Sequence, residues 1–289
     1  MIKVVYAQRD MAGGVPGFAI HPEAKAFNVV TEEQKARYWR SFERTRTRWY
    51  VAFGRLTGQQ FAEEGRAVLK AIKGARPESV ESIVNGVLRD RQQAWTKFFQ
   101  SSYLAIGEDF APAVAESIAG KGHAPAARKA DEDPWMRLLL DWFSKQSGAK
   151  VTQIQGTTLD LLCRQLAEGM GAGESVEDIS RRIATLYDRN IASRSTLIAR
   201  TEVIGASNAA SYMGAKSTGL TLRKQWLSSR DSRTRHDHGP GGGADGQEVG
   251  MDEPFIVGGE QLMWPGDTSL GASGKQTVAC RCTITYRRA

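Results

Sequence analysis

The sequence predicts an α+β protein, predominantly helical in its N-terminal and middle regions, with a small antiparallel sheet at the C-terminus. Helical periodicity opens at Thr31, where Tyr38, Phe42, Trp49, Phe53 and Leu56 recur at three-, four- and seven-residue spacings. After Gly219 the period switches to two, with Leu222, Lys224 and Trp226 alternating against Thr221, Arg223 and Gln225. The last stretch, 277–286, alternates again, placing Val278, Cys280, Cys282, Ile284 and Tyr286 on one face and Arg281, Thr283 and Thr285 on the other. Helices followed by strands, without βαβ alternation, is the α+β pattern.

Taken in order, residues 1–30 read as an extended arm, because Gly13, Gly14, Pro16, Gly17 and Pro22 interrupt any period. A helical region covers 31–120. Thr31 is its N-cap, with Glu32 and Glu33 in the first turn, where the helix dipole favours acids. Helical patterning continues through 80–99 and again around 113–118. Residues 121–134, with Gly122, Pro125, several Ala and mixed charge, form the best linker. A C-terminal domain then spans 135–289. Trp135 opens its first helix, Ser175 and Asp178 cap a second, and a longer helix runs from near Ser195 to Lys216, ending at Gly219. A polar, glycine-rich loop spans 228–250.

Composition excludes several classes. Hydrophobic residues make up 41% and charged residues 25%, the balance of a globular chain. No apolar run approaches the roughly 18 residues that cross a bilayer, and the N-terminal patch is too short for a signal peptide, so the protein is expected in the cytoplasm where it is made. Three cysteines, two of them one residue apart, do not make a disulfide framework. A net charge of +7 allows contact with a polyanion. Arg37, Arg40, Arg44 and Arg48, together with Lys35 and Arg46, lie opposite the aromatic stripe of the first helix. That face is either solvated or a surface for DNA or an acidic partner.

No catalytic residue emerges. Gly271-Ala272-Ser273-Gly274-Lys275-Gln276-Thr277 fails as a phosphate loop, since its first glycine is misplaced and Gln276 stands where Ser or Thr is required. Nucleophile-elbow, zinc-protease and dinucleotide motifs are missing. What remains is His236, His238, Cys280 and Cys282, with the acids Asp231 and Asp267. Thiolates and imidazoles are the usual zinc ligands, and His238 with Cys280 and Cys282 is the candidate metal set. The one-residue gap between the cysteines is narrower than the two to four of most zinc sites. Packing of both thiols as small core groups is the first expectation and needs no cofactor; metal comes second and a disulfide third. His21 and His123 have no partners in view and read as surface residues.

One ordered series is specific. Ala199-Arg200-Thr201-Glu202 opens a helix containing Asn208, and Trp226, Asp231-Ser232-Arg233-Thr234-Arg235, a histidine, Asp245-Gly246-Gln247, Phe255, Pro265-Gly266-Asp267 and Cys280-Arg281-Cys282 follow. This series, across about 150–286, resembles the phage Mu protein F-like family of head morphogenesis proteins. The resemblance implies a minor head protein of a tailed bacteriophage, a low-copy capsid component at the portal vertex that serves head assembly or genome packaging and delivery. It implies a portal protein and capsid components as partners, packaged double-stranded DNA or further copies of the chain as additional ones, and a place in the virion after assembly in the host cytoplasm. Two departures stand out. Ala279 occupies a position where the family usually has Asn. The Pro240 and Gly241-Gly242-Gly243 insertion leaves open which histidine, His236 or His238, matches the family position. Thr201 and Asn208 share a helix face while Arg200 and Glu202 do not, so the set reads as polar struts tying helix to loop and sheet. The competing reading, a metal-dependent nuclease or hydrolase, would gather Glu202, Asp231, Asp267 and the histidines into one centre.

Overall fold

A computed structural model describes residues 26–120 and 133–289. Most of the 1–30 arm and of the 121–134 linker, with His21 and His123, lies outside the described residues. Among the described residues four long helices come first: α1 (Glu32–Ile72), α2 (Pro77–Ala119), α3 (Pro134–Gly171) and α4 (Val176–Ser217). Then follow β1 (Leu222–Leu227), a 3₁₀ turn at His236–His238, β2 (Glu248–Gly250), β3 (Phe255–Val257) and β4 (Glu260–Leu262). The single helical turn α5 (Gly274–Thr277) and the strand β5 (Thr283–Arg288) close the chain. This is the α+β arrangement that the change of period indicates. No helix among the described residues is long and apolar enough to cross a membrane.

Helix starts follow their caps. The Gln34 backbone N–H donates to Thr31 Oγ1 at 3.2 Å, and Gln34 Oε1 accepts from the Thr31 N–H at 3.0 Å, a reciprocal box that satisfies two orphan donors. Ser175 and Asp178 make the same exchange at the head of α4. Two expected interruptions are absent. The 80–99 and 113–118 segments are one helix, α2, which continues through the exposed Pro112. A proline removes one ladder bond, and the flanking turns hold the helix together. The Ser175-capped helix and the helix expected from Ser195 are likewise one, α4, ending where Gly219 turns at φ +69°.

The described residues fall into two compact units. One comprises the chain through Phe53, Ser101–Phe143 and Ala199–Ala289; the other comprises Gly54–Gln100 and Ser144–Ile198. Each unit therefore draws on both the 31–120 and the 135–289 segments. The second unit is helical throughout. Its core sets Trp95, fully buried, against Phe61 (4.9 Å between ring centroids), Phe98 and Phe99.

The first unit carries the sheet, in the order β2-β1-β5, with both pairings antiparallel and Trp226 opposite Ile284. β3 and β4 form a separate hairpin. Residues 26–28 pair parallel to β5, the Asn28 N–H donating to Tyr286 O and the Tyr286 N–H to Ala26 O, each at 2.8 Å. The terminal strand differs from the sequence reading. It begins at Thr283, and the expected 277–282 portion is the end of a helical turn and an irregular approach. Thr283 and Thr285, expected to face outward, are buried along with Ile284 and Tyr286. The strand is enclosed on both faces, so its alternation of Thr with Ile and Tyr does not separate a buried face from an exposed one. Helix α4 also passes so close to α2 that a Cβ on Gly214 would lie 2.3 Å from Ala111 O, a crossing open only to glycine.

Candidate functional site

The expected site residues gather in the first unit around the approach to β5. Helix α1 reaches it with three side chains. Tyr38 Oη donates to Ile284 O at 3.2 Å, Trp39 Nε1 to Arg281 O at 2.9 Å, and Arg46 Nε to Ser207 Oγ at 2.8 Å. Arg46 corrects the reading of the basic face. It is fully buried, its guanidinium lies 4.4 Å from the Phe42 ring, and its Nη2 has no hydrogen-bond partner among the described residues. Arg37, Arg40, Arg44 and Arg48 are exposed, and Arg37 pairs with Glu33 at 3.1 Å.

Helix α4 holds the loops through alternate positions. Asn208, fully buried, donates from Nδ2 to Pro265 O at 2.9 Å and to Cys282 O at 3.1 Å. Thr201 Oγ1, seven residues earlier on the same face, accepts the Ala279 N–H at 3.2 Å. Arg200 is exposed, whereas Glu202 is buried and accepts from Tyr103 Oη. Gly205 meets Gly266 backbone to backbone: a Cβ on Gly205 would lie 3.2 Å from Gly266 O. That approach explains the glycine of Pro265-Gly266-Asp267.

The acids serve the backbone. Asp267, fully buried, accepts the Met263 and Ser269 N–H groups at 3.0 and 2.9 Å. Asp245 accepts the Ser228 N–H at 2.8 Å and Arg230 Nε at 2.9 Å. Gly246, at φ +83°, returns its N–H to Trp226 O at 2.9 Å. Asp231 closes its own turn by accepting the Arg233 N–H at 3.1 Å, and it ion-pairs with Arg281. Arg281 in turn lies over Trp39, 5.7 Å from the ring centroid. Each carboxylate satisfies donors of an irregular backbone that would otherwise be unpaired.

Lys224 is a residue whose role the sequence reading did not draw out. Its alternation with polar neighbours placed it beside Leu222 and Trp226, and it is indeed buried there, donating Nζ to Met263 O at 2.8 Å. Nζ also lies about 5 Å from the Tyr212 and Phe255 rings. Burial drives its pKa down to about 7, against the pull of Asp267 and Asp252.

At the centre, His238, Cys280 and Cys282 come together, all three buried, with their ligating atoms within 4.8 Å of one another. His236 is exposed and plays no part. Cys280 Sγ and Cys282 Sγ lie 3.4 and 3.5 Å from the same atom, His238 Nδ1. The expected extended spacing of the cysteines does not hold. Ala279 turns at φ +51° and the Cys282 N–H points to Cys280 Sγ at 3.5 Å, so the sulfurs converge from a turn. Both cysteines are free thiols. Hydrogen bonding from Cys282, with His238 adding to it, holds the Cys280 thiol well below its ordinary pKa, while burial pushes Cys282 well above. Burial works against charge on His238, but its hydrogen bond to Cys280 and the Cys280 charge outweigh that and leave its pKa raised.

The other ring nitrogen is held too. His238 Nε2 meets Gln276 Oε1 at 2.9 Å, and Gln276 Nε2 donates to Asp237 Oδ2 at 2.9 Å. Trp226 closes the pocket edge-on, its ring centroid 5.5 Å from the imidazole. Gln276 is the residue that disqualifies the phosphate-loop reading, and sequence gives no sign of its pairing with a histidine 38 positions away.

Residues 161–285 match the family model of phage Mu protein F-like proteins. The Mu F-like portion takes in the site residues from Thr201 to Cys282 and leaves out those that α1 supplies, Tyr38, Trp39 and Arg46, along with the exposed arginines of that helix. The chain is also 28% identical over 152 residues to the protein named Uncharacterized protein YqbB of Bacillus subtilis (strain 168), covering 50% of this chain and 47% of that one. It is 30% identical over 118 residues to the NAD(+)–arginine ADP-ribosyltransferase EFV of Enterococcus faecalis (strain ATCC 700802 / V583), covering 40% of this chain and 23% of that enzyme. The chain thus spans about half and under a quarter of the lengths of these curated relatives. No solved structure matches.

Proposed function

We propose that this chain is a minor head protein of a tailed bacteriophage, associating with the portal protein at the portal vertex and acting in head assembly or genome packaging and delivery. The observation that carries the reading is the Mu F-like match over 161–285, which covers the polar struts from Thr201 to Cys282. The chemistry of the struts supports it: Glu202, Asp231, Asp245 and Asp267 are each engaged by donors of the chain itself. A hydrolytic metal centre needs carboxylates free to converge on one ion; here Asp231, Asp245 and Asp267 are engaged in separate loops and Glu202 is engaged by Tyr103. The ADP-ribosyltransferase named above carries its activity in a protein of which this chain covers 23%, so that activity is not carried over.

Co-expression with the cognate portal protein tests the assembly reading. The two are expected to elute together from a sizing column, and the chain is expected in purified virions. Independent migration at micromolar concentration and low salt, with virions lacking the chain, would sink it. DNA is the secondary partner, through exposed Arg37, Arg40, Arg44 and Arg48. Replacing them with Gln should flatten the salt dependence of duplex binding, because each neutralised phosphate releases counterions. Incubating the same duplex with divalent metal tests the nuclease alternative, for which no cleavage is expected.

A further inference from the structure

We infer that His238 Nδ1 and the sulfurs of Cys280 and Cys282 hold one structural zinc ion, which pins the 228–250 loop to the approach of β5. The inference is independent of portal binding, since metal content is measured on the chain alone.

The distances carry the argument. Zinc bonds of about 2.3 Å to sulfur and about 2.0–2.1 Å to nitrogen, at a tetrahedral angle, set the sulfur-to-nitrogen edge near 3.5 Å. The two edges here are 3.4 and 3.5 Å, and both end on one nitrogen. A bridging proton satisfies one sulfur at that nitrogen and leaves the other thiol a neutral bystander. A metal ion satisfies both. Charge agrees with this: two thiolates and one zinc ion are neutral together, as suits a pocket walled by the fully buried Trp226.

The surroundings are those of a ligand held for coordination. Asp237 accepts from Gln276 Nε2, so Gln276 must present its oxygen to the imidazole. The imidazole then donates from Nε2, and Nδ1 is the atom left to face the sulfurs. A zinc-bound histidine commonly has its second nitrogen fixed in this manner. The cysteine turn also meets the objection raised by the one-residue gap. Left-handed Ala279 and the Cys282 N–H on Cys280 Sγ bring two adjacent thiols to one side, as a longer tight turn does elsewhere. Among the described residues no further His, Cys, Asp or Glu joins the group, so the fourth position falls to water or a backbone oxygen.

The full chain, produced in zinc-supplemented medium and dialysed without chelator, is expected to retain about one zinc per chain by elemental analysis. Cobalt(II) in its place should give the strong visible bands of a four-coordinate ion and a sulfur-to-metal charge-transfer band. Cys280→Ser, Cys282→Ser and His238→Ala should each abolish both signals, and chelator should lower the melting temperature of the wild type but not of these variants. Should these variants not fold, Gln276→Leu keeps all three ligands and is expected to weaken zinc affinity roughly 10- to 100-fold in competition with a chromogenic chelator. A wild-type chain that retains no zinc after incubation with zinc chloride and desalting overturns the inference. Zinc content or affinity unaltered in folded Cys280→Ser or in Gln276→Leu overturns it as well.

Discussion

In the helical unit, Glu64 is fully buried, and two aromatic donors hold it: Trp95 Nε1 at 2.8 Å and Tyr187 Oη at 3.3 Å. In the unit that carries the sheet, buried and half-buried polar groups are many, and several of them hold the backbone of the loops. Asn208 caps two carbonyls, Asp267 binds two N–H groups, Lys224 binds one carbonyl, and Thr201 binds one N–H. The difference follows from the backbone itself. Helices satisfy their own donors and acceptors, so a helical core needs few polar side chains. Irregular loops leave groups unpaired, and each buried one must be met by a side chain. The same difference explains why the Mu F-like portion shows its series of isolated polar residues from Ala199 on, in the unit that carries the sheet, while the helical unit shows only periodicity.

The contrast can be broken first at its apolar end. Trp95→Ala removes the largest fully buried side chain of the helical unit and strips Glu64 of a donor. A loss of about 3–5 kcal/mol is expected in denaturant unfolding, and a loss below about 1 kcal/mol would mean that this core does not depend on its aromatic cluster.

The polar end comes next. Asn208→Ala leaves Pro265 O and Cys282 O without their shared donor, and about 2–3 kcal/mol should be lost. Hydrogen exchange should quicken around 263–269 and 280–284 while the helical unit keeps its protection; uniform quickening would show that the loops lean on packing instead.

Lys224 sharpens the comparison through pH. Its folded pKa of about 7 lies below that of a free lysine, so the unfolded chain binds the extra proton between the two values. Charging therefore costs stability in full below pH 7, and the cost is relieved as pH rises toward 10. Against Lys224→Met, the wild type should gain roughly 2 kcal/mol between pH 7 and 9. A flat difference across that window would mean that the ammonium stays charged in the fold.

The smallest effect is expected at Ala279, held at φ +51° in a region that favours glycine or asparagine. Ala279→Gly should stabilise by about 0.5–1 kcal/mol, read as a rise in melting temperature, because its N–H bond to Thr201 survives the change. No rise would show that the turn is not strained.

The sequence by itself determined the helical start at Thr31, the switch to strands after Gly219, the α+β class and the Mu F-like portion. Caps, periodicity and turn residues are local, and each is written within a few positions. Its errors are equally local. It broke α2 and α4 into pieces where the pattern weakened, since a long helix stays intact through packing rather than through its own periodicity. It extended the last strand over 277–282, because alternation looks the same whether a segment is paired or turned. It set Arg46 on the basic face, although that residue closes a bond to Ser207 across 161 positions. The sequence set His238 beside the cysteines but left open whether it or His236 fills the family position. Tertiary structure separates them: the 3₁₀ turn exposes His236 and buries His238 against Trp226 and Gln276. A site assembled from segments some 40 residues apart is specified by the packing that joins them, and no local spacing records it.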